Sequence, residues 1–110
     1  MRSWPALALF VLGCGVSTDR ETYPEQIAEA QCEFAKHCYR ADFFYDYINV
    51  KDCVDESMRI WTDLAPEYED CSFNEDKAVE CLEWHARSCK VTGKELDQLR
   101  NDCEAVWRCG

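Results

Sequence analysis

The chain lacks most of the signals by which a sequence announces a reaction. No two of its cysteines stand in a Cys-x-x-Cys pair, which a dithiol redox site needs to depress a thiol pKa. No serine sits in a Gly-x-Ser-x-Gly elbow. No stretch alternates oxygen ligands around a central glycine with a closing glutamate, as a calcium loop requires. Basic residues are scarce: 12 Lys and Arg face 22 Asp and Glu, a formal charge of −10. That balance argues against nucleic acid and against electrostatic adhesion to an anionic membrane. Glycine is rare, with four in 110 residues, hairpin signals are few, and no segment alternates apolar and polar residues as a strand does. No apolar run approaches the roughly 20 residues that a membrane-spanning helix needs.

What the chain has in excess is cysteine, nine residues in all. Cys14 closes the run Val11-Leu12-Gly13-Cys14. Before it, Met1-Arg2 gives one positive charge and Trp4 to Leu12 is almost wholly apolar. That length suits a signal peptide and is too short to span a bilayer. The Leu-Gly-Cys ending resembles bacterial lipoprotein signal peptides. The resemblance implies that Cys14 becomes the first mature residue and carries lipid on its sulfur and amine. Loss of Arg2 with the leader takes the net charge to −11. The rival reading is ordinary secretion, with cleavage after Ser17. The expected organisation is a signal peptide over 1–13, a lipidated cysteine and polar tether over 14–21, and one domain over 22–110.

Cys32, Cys38, Cys53, Cys71, Cys81, Cys89, Cys103 and Cys109 remain. Eight cysteines in a short exported chain read as a disulfide framework. A domain this small needs such staples, because one apolar core of its size is barely sufficient.

Four segments carry helical periodicity. The first starts at Thr22, whose spacing to Glu25 fits a capping box, and ends near Arg40. The second starts at Asn49, with Cys53, Ser57, Ile60, Trp61 and Leu64 inward, and stops at Pro66. The third is announced by Ser72 with Glu75, or by Asn74 directly, and places Ala78, Cys81, Leu82, His85 and Cys89 on one broad face. The fourth opens at Thr92 with Glu95 and has the stripe Leu96, Leu99, Cys103, Val106 and Trp107. The expected fold is all-α, a small disulfide-stapled bundle of four helices.

Helix geometry restricts the bridges. Cys32 and Cys38 lie roughly 9 Å apart along one helix, beyond disulfide reach. The same holds for Cys103 with Cys109 and for Cys81 with Cys89. Forbidding these pairs removes roughly a third of the 105 connectivities. An up-down bundle then favours Cys38–Cys53, Cys71–Cys109, Cys81–Cys103 and Cys32–Cys89.

Candidate chemistry is thin. Cys81, His85 and Cys89 share a helical face and are of zinc-ligand type, but the tight Cys pairs of usual zinc sites are missing, so bridges are the expected role. No metal or other cofactor is expected. His37-Cys38-Tyr39 with Asp42 resembles a few residues of secreted phospholipases, without their glycine-rich calcium loop or an Asp after the His. His37 suits the last turn of a helix, where positive charge meets the dipole. The run Phe43-Phe44-Tyr45-Asp46-Tyr47-Ile48 is the strongest surface candidate. Phe43, Phe44, Tyr45 and Tyr47 either close the bundle end or form a partner-binding patch.

Taken together, Leu12-Gly13-Cys14, Cys32-x5-Cys38, Cys53-Val54, Cys81-Leu82 with Cys89, and Cys103-Glu104-Ala105-Val106-Trp107-Arg108-Cys109 resemble uncharacterised small cysteine-rich lipoproteins of Gram-negative bacteria. The resemblance implies an outer-envelope anchor and no known activity. Gly15 after the lipidated cysteine favours the outer membrane, since the inner-membrane retention signal is an Asp there. The expected function is a non-enzymatic, lipid-anchored module that binds a protein partner or serves the envelope structurally. The alternative is a secreted, disulfide-rich inhibitor or toxin-like protein.

Overall fold

The computed structural model describes residues 16–86, 89 and 93–110. The expected leader, Cys14 and the Thr92 cap lie outside the described residues. Five α-helices are present among those residues: α1 Tyr23–Cys38, α2 Arg40–Asp46, α3 Val50–Leu64, α4 Glu75–His85 and α5 Gly93–Glu104. A 3-10 turn, Ala65–Tyr68, follows α3. Two short strands, β1 Ser72–Phe73 and β2 Trp107–Arg108, pair antiparallel. The fold is all-α and disulfide-stapled. α1 packs against α2, α3 and α4, and α4 packs against α5.

Local sequence sets most boundaries. The Asn49 side chain accepts from the Asp52 N–H at 2.9 Å, and Asp52 accepts from the Ile48 N–H at 3.0 Å. Asn74, rather than Ser72, caps α4 by accepting from the Lys77 N–H at 3.0 Å. Ser72 lies instead in β1. Pro66 turns the end of α3 into the 3-10 turn. At α1 the expected Thr22 capping box does not form. Asp19 takes that role, accepting from the Glu21 and Thr22 N–H groups at 3.1 and 2.9 Å. These bonds hold its carboxyl below the usual carboxylate range.

The first helix breaks at Tyr39, whose backbone (φ −132°, ψ 54°) leaves the helical region. The expected loop after it is the separate helix α2, which makes the fifth. Two further expectations fail at the termini and faces. Val106 and Trp107 lie beyond α5, because the helix closes at Glu104 and the chain turns into β2. Ile60, Leu64 and Leu96, expected inward, are 46%, 39% and 44% exposed. The domain is too small to cover a full stripe on every helix.

The four bridges are Cys32–Cys53, Cys38–Cys89, Cys71–Cys109 and Cys81–Cys103. Two of the expected pairs are present, and the other two exchange partners. The physical reason is α2. This helix and the turn after it occupy the end of α1, so the first turn of α3 meets α1 at Cys32 rather than at Cys38. Cys38 is left to reach Cys89. Cys71 and Cys109 are brought together by the β1–β2 pair, in which Ser72 faces Arg108.

The core is two small clusters. One gathers Tyr23, Ala78, Cys81, Leu82 and Val106; the other gathers Cys32, Phe43 and Cys53. Among the described residues, Cys32, Cys53, Cys71 and Cys81 are buried alongside only a few aliphatic and aromatic side chains, so bridges stand where larger domains place leucine. Burial pushes the Tyr23 phenol up to about 12.

The buried residue of α5 that the apolar stripe does not foretell is Asp102, 3% exposed. It accepts from Trp84 Nε1 at 2.9 Å, Gln98 Nε2 at 3.0 Å and Lys77 Nζ at 3.2 Å. Burial raises its pKa, but the three hydrogen bonds and the Lys77 charge outweigh that and hold it below the usual 3.8. A depressed folded pKa stabilises the fold above the unfolded value and loses that stabilisation as pH falls through the folded one. Asp102→Asn is therefore expected to cost about 2 kcal/mol at pH 7. Denaturant titrations of both proteins check this, and the gap between them should begin to narrow near about pH 4 and close as pH falls through the lowered folded value.

Candidate functional site

The aromatic run divides residue by residue. Phe43 is 2% exposed and packs with Cys32 and Cys53, while Tyr47 is half-buried against the same cluster. Their rings lie 5.4 Å apart. These two close the bundle end. Phe44, Tyr45 and Ile48 are 42%, 90% and 81% exposed. The rise of about 1.5 Å and turn of 3.6 residues explain the split: Phe43 and Tyr47, four apart, share the inner face of α2 and its exit turn, and Phe44 and Tyr45 point elsewhere. Phe44 stands edge-on to Phe43 at 5.0 Å and lies under the Arg40 guanidinium at 5.0 Å. Tyr39, also exposed, adds an aromatic at the entry to α2 and packs near Phe34. Phe44 and Tyr45 on α2, with Tyr39 before it and Ile48 after it, thus face solvent around a short helix whose inner face packs on the Cys32–Cys53 bridge. Ile48 closes the run that the sequence singles out, although the expected patch comprises only its four aromatics; Tyr39 lies outside that run, and exposure in a break between helices leaves no periodic signal by which to find it.

A second surface feature is a groove of about 770 Å³ between α1 and α3. Val16, Ala30, Val50, Val54 and Leu82 give its apolar lining, and Glu25, Glu29 and Glu33 stand along it on α1. The spacing of those glutamates at i, i+4 and i+8 was legible in the sequence. That an apolar groove lies beside them was not.

The cysteine and histidine candidates resolve differently. Donor atoms of Cys81, His85 and Cys103 lie within 4.8 Å of one another. The two sulfurs, however, are bonded to each other, and a disulfide sulfur lacks the thiolate charge that a metal ligand needs. Cys89, the third member of the expected face, is bonded to Cys38. His85 Nδ1 sits 2.9 Å from the Cys81 carbonyl, a bond that the Nδ1–H tautomer donates, and its ring meets Phe34 edge-on at 6.0 Å. His37 is exposed and, among the described residues, has no hydrogen bond or ion pair; Asp42 does not approach it as an acid partner.

The opposite end of the domain holds Trp61, Tyr68 and Trp107, with centroids 5.3 to 5.6 Å apart. At that spacing the rings pack on one another, and all three line a shallow pocket of about 220 Å³ with Pro24 and Ala65. Arg20 lies over Trp107 at 4.9 Å and donates to the carbonyls of Cys71, Tyr68 and Glu69 at 2.7, 2.7 and 3.0 Å. Thr18 is buried and donates to Gln26 Oε1, and Gln26 Nε2 donates to the Ser17 carbonyl at 3.0 Å. The later part of the expected tether is therefore fastened to the domain.

No protein-family model, curated protein or solved structure matches the chain. The site is read from its own geometry. No helix among the described residues is long and apolar enough to cross a membrane.

Proposed function

We propose that this chain is a lipid-anchored, non-enzymatic protein of the bacterial outer envelope whose helical domain binds a protein partner. The observation that carries the reading is the α2 tip. Tyr45 and Ile48 are almost fully exposed while Phe43 and Tyr47 beside them are held inward. Aromatic side chains on a pre-ordered support bind with little loss of conformational freedom. The lipid would sit on Cys14. With Ser17 and Arg20 fastened to the fold, about three residues, or roughly 10 Å of extended chain, would separate it from the domain. Such a short tether favours a partner at the membrane surface.

The test places a photo-crosslinking residue at position 45 in producing cells, with position 70 as control. A discrete crosslinked protein from position 45, lost when Phe44 and Ile48 become serine, is expected. No crosslink, or one indifferent to those changes, overturns the α2 site. Fractionation tests the anchor. The wild type is expected with membranes and the Cys14→Ala variant among soluble proteins. Wild type released into the medium would instead support the secreted inhibitor or toxin-like reading.

A further inference from the structure

The groove between α1 and α3 is built from two unlike surfaces. Its apolar part is formed by Val16, Ala30, Val50, Val54 and Leu82. Its α1 side carries Glu25, Glu29 and Glu33, all exposed, none with a hydrogen bond or ion pair among the described residues. On the α3 side, Lys51 and Asp55 satisfy each other at 2.7 Å and add no net charge. The free charge of the groove is therefore negative and lies along one side.

We propose that this groove is the docking site for a basic amphipathic helix of a protein partner. This rests on the reading of the domain as a protein-binding module, but it assigns a different surface, since no residue of the α2 tip lines the groove.

Spacing points to a helix. The eight steps from Glu25 to Glu33 rise about 12 Å, so lysines or arginines at every fourth position of a facing helix would meet the glutamates in register. Charge arrangement points away from a single ion. Successive glutamates of one helix face stand about 6 Å apart at Cβ. Among the described residues the carboxylates form no group whose oxygens converge as metal ligands do. A line of separated carboxylates suits a line of separated cations. Phosphate-bearing partners are repelled by the same line and by the formal charge of −10.

Neither surface suffices alone. Exposed ion pairs contribute little affinity but raise the encounter rate and select the partner's sign. The apolar lining supplies the burial that holds it. Binding should therefore need both faces of the partner and weaken with salt.

The experiment titrates the full-length protein into a fluorescent 14-residue helical peptide with lysine at every fourth position and leucines beside them. Saturable binding is expected, weakened at least tenfold by the triple change Glu25→Gln, Glu29→Gln and Glu33→Gln. These positions are exposed, and an unchanged melting curve would show the variant folded. A peptide with serine for leucine should lose binding by a similar factor. Tyr45→Ser should leave it unchanged. The inference is overturned by absent binding, by equal binding to the triple variant, or by equal binding of a peptide with glutamate for lysine. Absent peptide binding with a specific crosslink from position 45 would sink the groove and leave the binding-module reading standing.

Discussion

Replacing Cys81 and Cys103 together with alanine should lower the unfolding free energy by about 4–5 kcal/mol. Two contributions add. The bridge spans 22 residues, and closing a loop of that length in the unfolded chain corresponds to about 3.4 kcal/mol at room temperature. Cys81 is fully buried, in a cluster with Tyr23, Ala78, Leu82 and Val106, so truncation also leaves a small cavity, worth about 1 kcal/mol or more. The Cys38–Cys89 bridge provides the control. It spans 51 residues, for which loop closure alone gives about 4 kcal/mol, but neither of its cysteines belongs to a buried cluster. Guanidinium titrations of both double variants decide which contribution dominates. A greater loss for Cys38 and Cys89 would mean that chain entropy alone sets the order and that packing around Cys81 adds little. For a domain whose total stability is on the order of 5–15 kcal/mol, either change is severe.

Phe43→Ala should cost about 3–5 kcal/mol, whereas Tyr45→Ser, two residues away, should change stability by less than about 0.5 kcal/mol. Phe43 is the one large fully buried side chain of its cluster and packs with Cys32 and Cys53, so its loss leaves a void beside the bridge that half-buried Tyr47 and the valines fill only in part. Tyr45 is 90% exposed and loses almost no contact. Thermal melts check the pair: a fall of at least about 12 °C for Phe43→Ala is expected. Phe43 also supports the tip. Below its melting temperature, Phe43→Ala should weaken a crosslink from position 45 without touching the partner itself. Equal melting points for the two variants would show that α2 hangs on the domain without holding it closed.

Helix content was legible because the apolar residues of α1, α3 and α4 repeat at three- and four-residue steps and because Asn49 and Asn74 cap by local geometry. The exposed Ile60, Leu64 and Leu96 were misjudged for a physical reason. Periodicity reports which face a helix would bury, and a domain with so little interior covers only part of it. Asp102 was hidden in the same stripe, since a charge is buried only where donors from elsewhere meet it. Here Trp84 and Lys77 come from α4. The aromatic run was visible as composition, but its division into anchors and exposed tip depends on α2 being a helix at all.

Local rules, then, determined the class of this protein: cysteine number, helical period, caps and acidic charge follow from neighbours in sequence and need no tertiary partner. They also forbade a Cys32–Cys38 bridge, since both lie on α1 and the rise per residue is fixed; Cys89 and Cys109 lie beyond the ends of α4 and α5, so the fixed rise does not bear on Cys81 with Cys89 or Cys103 with Cys109. Only the tertiary structure decided between Cys38–Cys53 and Cys32–Cys53, which side of α2 faces solvent, and that three glutamates of α1 border an apolar groove. Each of these depends on where the chain turns between helices. A few residues of α2 shift the level at which α3 meets α1, and periodicity carries no record of that displacement.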